Sequence, residues 1–218
     1  VLGAVSTDPE LSPLLHDVST GCTYYYGFST SQPPFDELLT RKAFIAAVDR
    51  QGLINAGLAR GQLIAQTFTP PGLFGYADGV SDGVGISYNP TQAQQWLSDA
   101  GHPNGAGLPA IILWIRNAND QSIAEYIRQN WITNLNVTVT IQSIPDDYWN
   151  QIGNGDKQIW RAGWCADYYD AYNFLNDEVI NFFPGKWGGW SNPSYGNLLA
   201  QAAQSGDNAA RQLYYKQA

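Results

Sequence analysis

Methionine is absent from all 218 residues, and histidine and cysteine occur only twice each. Without methionine the chain has no initiator, and its last residues, DNAARQLYYKQA, form a helical pattern with no glycine or proline terminator. Both ends therefore read as cuts, and the chain as a piece of a longer protein. The opening, VLGAVSTDPE, has neither the basic start nor the apolar stretch of a secretory leader, and for a piece this says nothing about location. His16 and His102 stand in no ligand-like spacing with Cys22 and Cys165, so no metal site is expected. No apolar run is long enough to span a bilayer. Basic residues are scarce, 11 Lys and Arg against 19 Asp and Glu, for a formal charge of −8. That balance argues against nucleic acid, whose binding needs a positive face to displace counterions, and against an anionic membrane surface. Catalytic signatures are missing as well. There is no GxSxG elbow and no P-loop, and GVSDGVG (79–85) has glycines but follows no clear strand. No cofactor is expected.

What is plentiful is aromatic. Eight Trp and 13 Tyr accompany a charged fraction of only 14 %. Such rings serve either as core or as contact surface for a ligand, since they give large area at low entropic cost. Two readings of Cys22 and Cys165 stay open at this level. They are buried free thiols, or they form a disulfide, which would imply an oxidising compartment and constrain the unfolded chain by up to roughly 5 kcal/mol.

The apolar pattern alternates between strands and helices. TYYYGFST (23–30) has strand composition and stops at Pro33-Pro34. Helical spacing follows from 36 to about 58, with Gly52 and Gly57 breaking it. Residues 66–88 are rich in Gly and Pro and read as a long loop. Asn89-Pro90 opens a helix that ends at Gly101, since Asn caps well and Pro suits the first helical position. PAIILWIR (109–116) reads as a buried strand, 119–135 as an amphipathic helix, NVTVTIQSI (136–144) as a strand and DDYWNQIGNG (146–155) as a short helix. DKQIWRAGW (156–164) is a further strand. Asn192-Pro193 opens another helix, and the final dozen residues begin one more. Strands and helices in units of about 25 residues predict an α/β fold, one domain over 1–218, with a mixed sheet flanked by helices.

RAGWCADYYD (161–170) lies at the carboxyl end of the last predicted strand, where α/β sheets place their ligands. It joins Arg161, Trp164, Cys165, Asp167 and Asp170. The two carboxylates form a poor glycosidase pair, because such pairs come from separate elements on opposite sides of the sugar. A hydrolase remains the alternative class, distinguished by turnover of candidate peptides or glycans.

Several segments together resemble one family. They are CTYYYGFSTSQPPFDELLTRKAFIAAVDRQGLI (22–54), YNPTQAQQWLSDAGHP (88–103), the strand–helix–strand at 109–144, RAGWCADYYDAYNFLN (161–176) and WSNPSYGNLL (190–199). In order and spacing they are similar to the family 5 extracellular solute-binding proteins of ABC importers, and most of all to oligopeptide binders. The resemblance implies a periplasmic-binding-protein type II-like lobe, the C-terminal (second) lobe of a two-lobed protein outside the cytoplasm. Its partners would be an oligopeptide ligand, the first lobe of the same protein and the importer's membrane subunits. The resemblance also implies a Cys22–Cys165 disulfide, and an Asp167 that pairs with the α-ammonium of the bound peptide. Arg161 would meet a peptide carboxylate at some lengths, and Trp164 and Tyr25 would line the cleft. The chain departs from the pattern at Gly27, Ser122 and Pro145, with Trp149 near the last. Members of the wider family also take dipeptides, nickel complexes, glutathione, haem and oligosaccharides, so an oligosaccharide- or metal-complex-binding relative is the runner-up.

Overall fold

Four strands, β1 (Cys22–Phe28), β2 (Ile111–Ile115), β3 (Val139–Ser143) and β4 (Ile159–Cys165), build one mixed sheet in the order β1–β4–β2–β3. The computed structural model describes residues 5, 7–16, 20–58, 62–79, 81–154, 157–181 and 189–218. The outermost residues of the expected strand at 156 and helix at 155, Val80 in the expected loop and part of 1–20 lie outside them. β1 (Cys22–Phe28) pairs antiparallel with β4 (Ile159–Cys165) along its whole length. β2 (Ile111–Ile115) pairs parallel with β3 (Val139–Ser143) through five residues, and with β4 through only two, Leu113↔Ile159 and Trp114↔Trp160. A parallel pair needs a crossover, which the helix Gln121–Leu135 supplies between β2 and β3.

Side chains alternate across the sheet and divide the core in two. On one face Ile111, Leu113, Ile115, Val139 and Ile159 meet three helices: Leu38–Ala46, Pro90–Asp99 and Gln121–Leu135. Phe35, Phe44 and Trp131 are the large buried pieces there, and the Trp131 indole N–H donates to the Phe44 carbonyl at 2.9 Å, so the indole donor is satisfied. Each such side chain contributes about 1.5–3 kcal/mol by leaving water. On the other face Trp160 and Ala162 pack with Ile144 and with Tyr148 and Ile152 of a short helix, Tyr148–Asn154. A third cluster joins the helices Pro193–Gln204 and Asn208–Gln217 to Ala171. It includes a close approach at Gly75, where φ is +83° and a Cβ would lie 2.4 Å from the Tyr215 ring.

Most predicted elements stand where expected. Asn89 and Asn192 each cap a helix through the side chain, accepting from Gln92 N–H and from Ser194 and Tyr195 N–H. Three regions differ. The helical stretch from 36 breaks at residues 47–49, not at Gly52, because Asp49 caps a second helix, Arg50–Asn55, by accepting the Gly52 N–H at 2.8 Å. The last strand, expected over 156–164, runs from Ile159 to Cys165, one residue further than expected. And Asn173–Asn181, where no helix is expected, is a π-helix.

Candidate functional site

The β1–β4 ladder sets the site's geometry. Cys22 and Cys165 face each other at its end, with Cα atoms 4.0 Å apart, and form a disulfide. It ties the two strands together at the point where β4 runs out. Alternation then sorts the predicted residues. Trp164 and Tyr25 lie on the face of Trp160, whereas Arg161 lies on the opposite face.

β2 runs beside β4 only as far as Trp160, and no other described strand pairs with β4 on that side. Tyr148 caps the point of divergence. Its hydroxyl donates to the Arg161 carbonyl at 2.6 Å and accepts from the Arg161 N–H at 3.1 Å, and it also reaches the Trp114 carbonyl at 3.2 Å. Burial, and then the hydrogen bond to the Arg161 backbone pulling the other way, leave that phenol harder to ionise than usual. The Arg161 backbone groups therefore point to the β2 side. By alternation those of Gly163 and Cys165 do so too, towards a side where no described strand lies beside them. The result is a short open edge, running from Tyr148 to the end of β4. An extended chain can add to such an edge by main-chain hydrogen bonds.

Asp167 stands just past this edge and is exposed. Its position is controlled by one buried amide. Asn173, 1 % exposed, accepts the Asp167 N–H at 3.0 Å and the Trp164 indole N–H at 2.9 Å through Oδ1. Through Nδ2 it donates to the Asp167 carboxylate at 3.3 Å and to the Asp177 carboxylate at 3.1 Å. The Tyr168 hydroxyl donates to the same Asp177 oxygen at 2.6 Å. Burial would raise the Asp177 pKa, but hydrogen bonds from Tyr168, Asn176, Asn173 and Asn181 outweigh it and hold this carboxyl below its ordinary value. Asp167 has no cationic partner among the described residues.

The other charges near the edge are already matched. Asp170 is paired with Arg211 of the last helix. Arg161 pairs with Asp120, Nε to Oδ1 at 2.9 Å, and lies 4.1 Å from the centre of the Tyr24 ring. Asp120 is buried, accepts the Arg116 N–H at 3.3 Å, and so joins the end of β2 to Arg161. Tyr25 donates its hydroxyl to the buried Glu178 and packs edge-on against Phe68. Burial, and then the adjacent Glu178 charge, push the Tyr25 phenol far above its ordinary pKa, so it stays a donor. Sequence reasoning did not single out Asn173, Asp120, Tyr148 or Glu178. Each acts through a partner distant in the chain or through the unexpected π-helix, and none belongs to a motif.

An α/β sheet with a strand edge that no described strand pairs with, a fixed carboxylate just beyond it and aromatic flanks is an arrangement able to hold a ligand. The chain belongs to the bacterial extracellular solute-binding proteins, family 5, whose middle-region model matches residues 3–179. It is 27 % identical over 206 residues to the periplasmic oligopeptide-binding protein OppA of Escherichia coli, covering 90 % of this chain and 37 % of that one. It is 28 % identical to heme-binding protein A of Haemophilus influenzae, covering 100 % of this chain and 40 % of the relative. Among solved structures, a periplasmic oligopeptide-binding protein from Borrelia burgdorferi superposes with a TM-score of 0.80 at 28 % identity, over 90 % of this chain and 39 % of that one. The chain thus spans well under half the length of these relatives.

Proposed function

We propose that the chain, residues 1–218, is the second lobe of a two-lobed extracytoplasmic solute-binding protein that captures oligopeptides for an ABC importer. The peptide lies extended along the open edge of β4 and exchanges main-chain hydrogen bonds with Gly163 and Cys165. Asp167 receives its N-terminal ammonium in a charge-assisted hydrogen bond worth about 1.5–3 kcal/mol. Trp164 and Tyr25 line one flank of the peptide, and Arg161, with Asp120 and Tyr24, frames the far end. The first lobe would close over the other side of the peptide, and the closed form would be the one that the importer's membrane subunits recognise. Ligand shifts the open–closed balance because it gains contacts from both lobes only when they close.

The observation that carries this reading is a β4 edge beyond Trp160 that no described strand pairs with, followed two residues later by an exposed carboxylate that Asn173 positions and that has no cationic partner among the described residues. The peptide-binding relative in E. coli supports it. A haem-binding relative of similar identity makes haem the competing ligand class. Titrating the two-lobed protein with tetra-alanine, N-acetyl tetra-alanine and haemin separates the classes. Tetra-alanine should bind, N-acetylation should weaken binding at least tenfold, and Asp167→Asn should erase that difference. Binding of haemin alone, or equal binding of both peptides by the unaltered protein, overturns the proposal.

A further inference from the structure

Gly163 stands inside β4, next to the end of the ladder, and no contact among the described residues requires it to lack a side chain. Its φ lies outside the left-handed region, so any residue could adopt this backbone. A Cβ there would meet the Thr23 carbonyl oxygen at 3.4 Å and the Tyr24 Cα at 3.9 Å, which is ordinary contact. The position is also exposed. Glycine weakens a strand interior, and where it persists it often marks the close approach of a ligand. Here the space that it leaves opens beside the edge that no described strand pairs with.

That space has three walls. Alternation puts Gly163 on the same face as Arg161 and Cys165, and the β1 register puts Tyr24 directly opposite it. The Cys22–Cys165 disulfide closes one end. The Arg161 guanidinium closes the other, paired with Asp120 and therefore offering no unmatched charge. Tyr24 forms the back. Its ring stacks on Arg161, with the centroid 4.1 Å from the guanidinium carbon, and its hydroxyl lies 3.3 Å from the Tyr26 hydroxyl and 3.4 Å from Asp120. The ring is thus held in place, yet it is 39 % exposed, and none of its atoms comes within 4 Å of the Gly163 Cβ position.

If Asp167 takes the ammonium, the peptide runs antiparallel to β4. The outward main-chain groups of Cys165 then meet the first residue, and those of Gly163 the third. Directly opposed side chains of an antiparallel pair share a face, so the third side chain rises beside the bare backbone of Gly163. A flat ring suits that place. Laid across a glycine from the neighbouring strand, it covers the exposed backbone, and it can meet the Tyr24 ring edge-on or offset. An aliphatic side chain covers less of the strip, and an acidic one finds Arg161 already matched.

We infer that Gly163 is a specificity-determining residue. The slot left by its missing side chain, between Tyr24, Arg161 and the Cys22–Cys165 disulfide, takes an aromatic side chain at the third position of a bound peptide.

This inference rests on the peptide reading above, and the test keeps the two apart. The probes are tetra-alanine, its N-acetyl form, Ala-Ala-Phe-Ala, Ala-Ala-Leu-Ala and Ala-Phe-Ala-Ala. Each is titrated by calorimetry against the two-lobed protein and its Gly163→Ala variant, and both proteins are unfolded in urea. In the unaltered protein Ala-Ala-Phe-Ala should bind about tenfold more tightly than tetra-alanine, and Ala-Ala-Leu-Ala should gain less. Gly163→Ala should cut the third-position Phe preference to below about twofold, because the added methyl lifts the ring off the strand. Any second-position preference should persist, since that side chain lies on the Trp164 face. The urea midpoint of the variant should be no lower than that of the unaltered protein. The slot is wrong if the third-position preference is absent, survives Gly163→Ala or falls in step with the second-position one, or if the variant unfolds more easily. In each of those cases the peptide reading stands as long as N-acetylation weakens tetra-alanine. If N-acetylation makes no difference in the unaltered protein, the peptide reading has failed as well.

Discussion

The amide of Asn173 holds Asp167 by both its backbone and its side chain, accepting the N–H at 3.0 Å and donating to the carboxylate at 3.3 Å. The same amide orients the Trp164 indole and the Asp177 carboxylate. All four hydrogen-bonding positions of a buried Asn are therefore used. Asn173→Ala should strand the Trp164 and Asp167 donors and destabilise the fold by about 1–3 kcal/mol, read by chemical denaturation. In the binding assay the variant should lose more affinity for free-amine peptides than for acetylated ones. Equal losses for both would mean that Asn173 serves the fold alone.

The Cys22–Cys165 disulfide closes a loop with a sequence separation of 143. Constraint of so long a loop in the unfolded chain is expected to be worth about 2–5 kcal/mol. Replacing both cysteines with serine should cost that much in urea denaturation, and reductant should then have no further effect on the variant. The bond also ties β1 to β4 beside the open edge, so peptide affinity should fall in the variant even at temperatures where it stays folded.

Asp177 gives the protein an acid-sensitive component. Its folded pKa is depressed, because the hydrogen bonds from Tyr168, Asn176, Asn173 and Asn181 outweigh the opposing effect of burial. A depressed carboxyl contributes stability above its unfolded pKa of about 3.9 and loses it as pH falls through the lower folded value. Denaturation midpoints should therefore drop below about pH 4, and Asp177→Asn should flatten that limb while leaving the neutral-pH slope unchanged. An unaltered acid limb in the variant would assign the loss to other carboxylates.

The parts legible in the sequence were those decided within a few residues. Asn89-Pro90 and Asn192-Pro193 start helices because the cap and the fixed proline φ act locally. The strands at 109–116 and 136–144 were readable from apolar runs and alternation. The family resemblance added the Cys22–Cys165 pair, which composition had left open. Contacts over long separations stayed hidden. A structural partner for Arg161 is most simply sought in Asp167 or Asp170 nearby, yet Asp170 belongs to Arg211 and Arg161 to Asp120. Nothing local announces that β2 leaves β4 after Trp160, and that departure is what opens the edge. The π-helix at Asn173–Asn181 was hidden for another reason: its residues satisfy neither a strand nor a regular helical period, and its side chains are held by Trp164, Asp167, Tyr168 and Tyr25.

The Arg161–Asp120 pair should behave as a partly buried ion pair, with side-chain exposures of 20 % and 9 %. Removing one partner strands the other charge, so Asp120→Ala should cost about 3–5 kcal/mol, including the acceptor lost by the Arg116 N–H at 3.3 Å. Arg161→Met should cost less, because the Tyr24 hydroxyl at 3.4 Å and the Arg116 N–H still face Asp120. The double variant should be more stable than the sum of the single losses predicts, and the cycle measures that coupling directly. Coupling near zero would show that Arg161 is not held by Asp120 in solution. It would then be free to meet a ligand carboxylate itself.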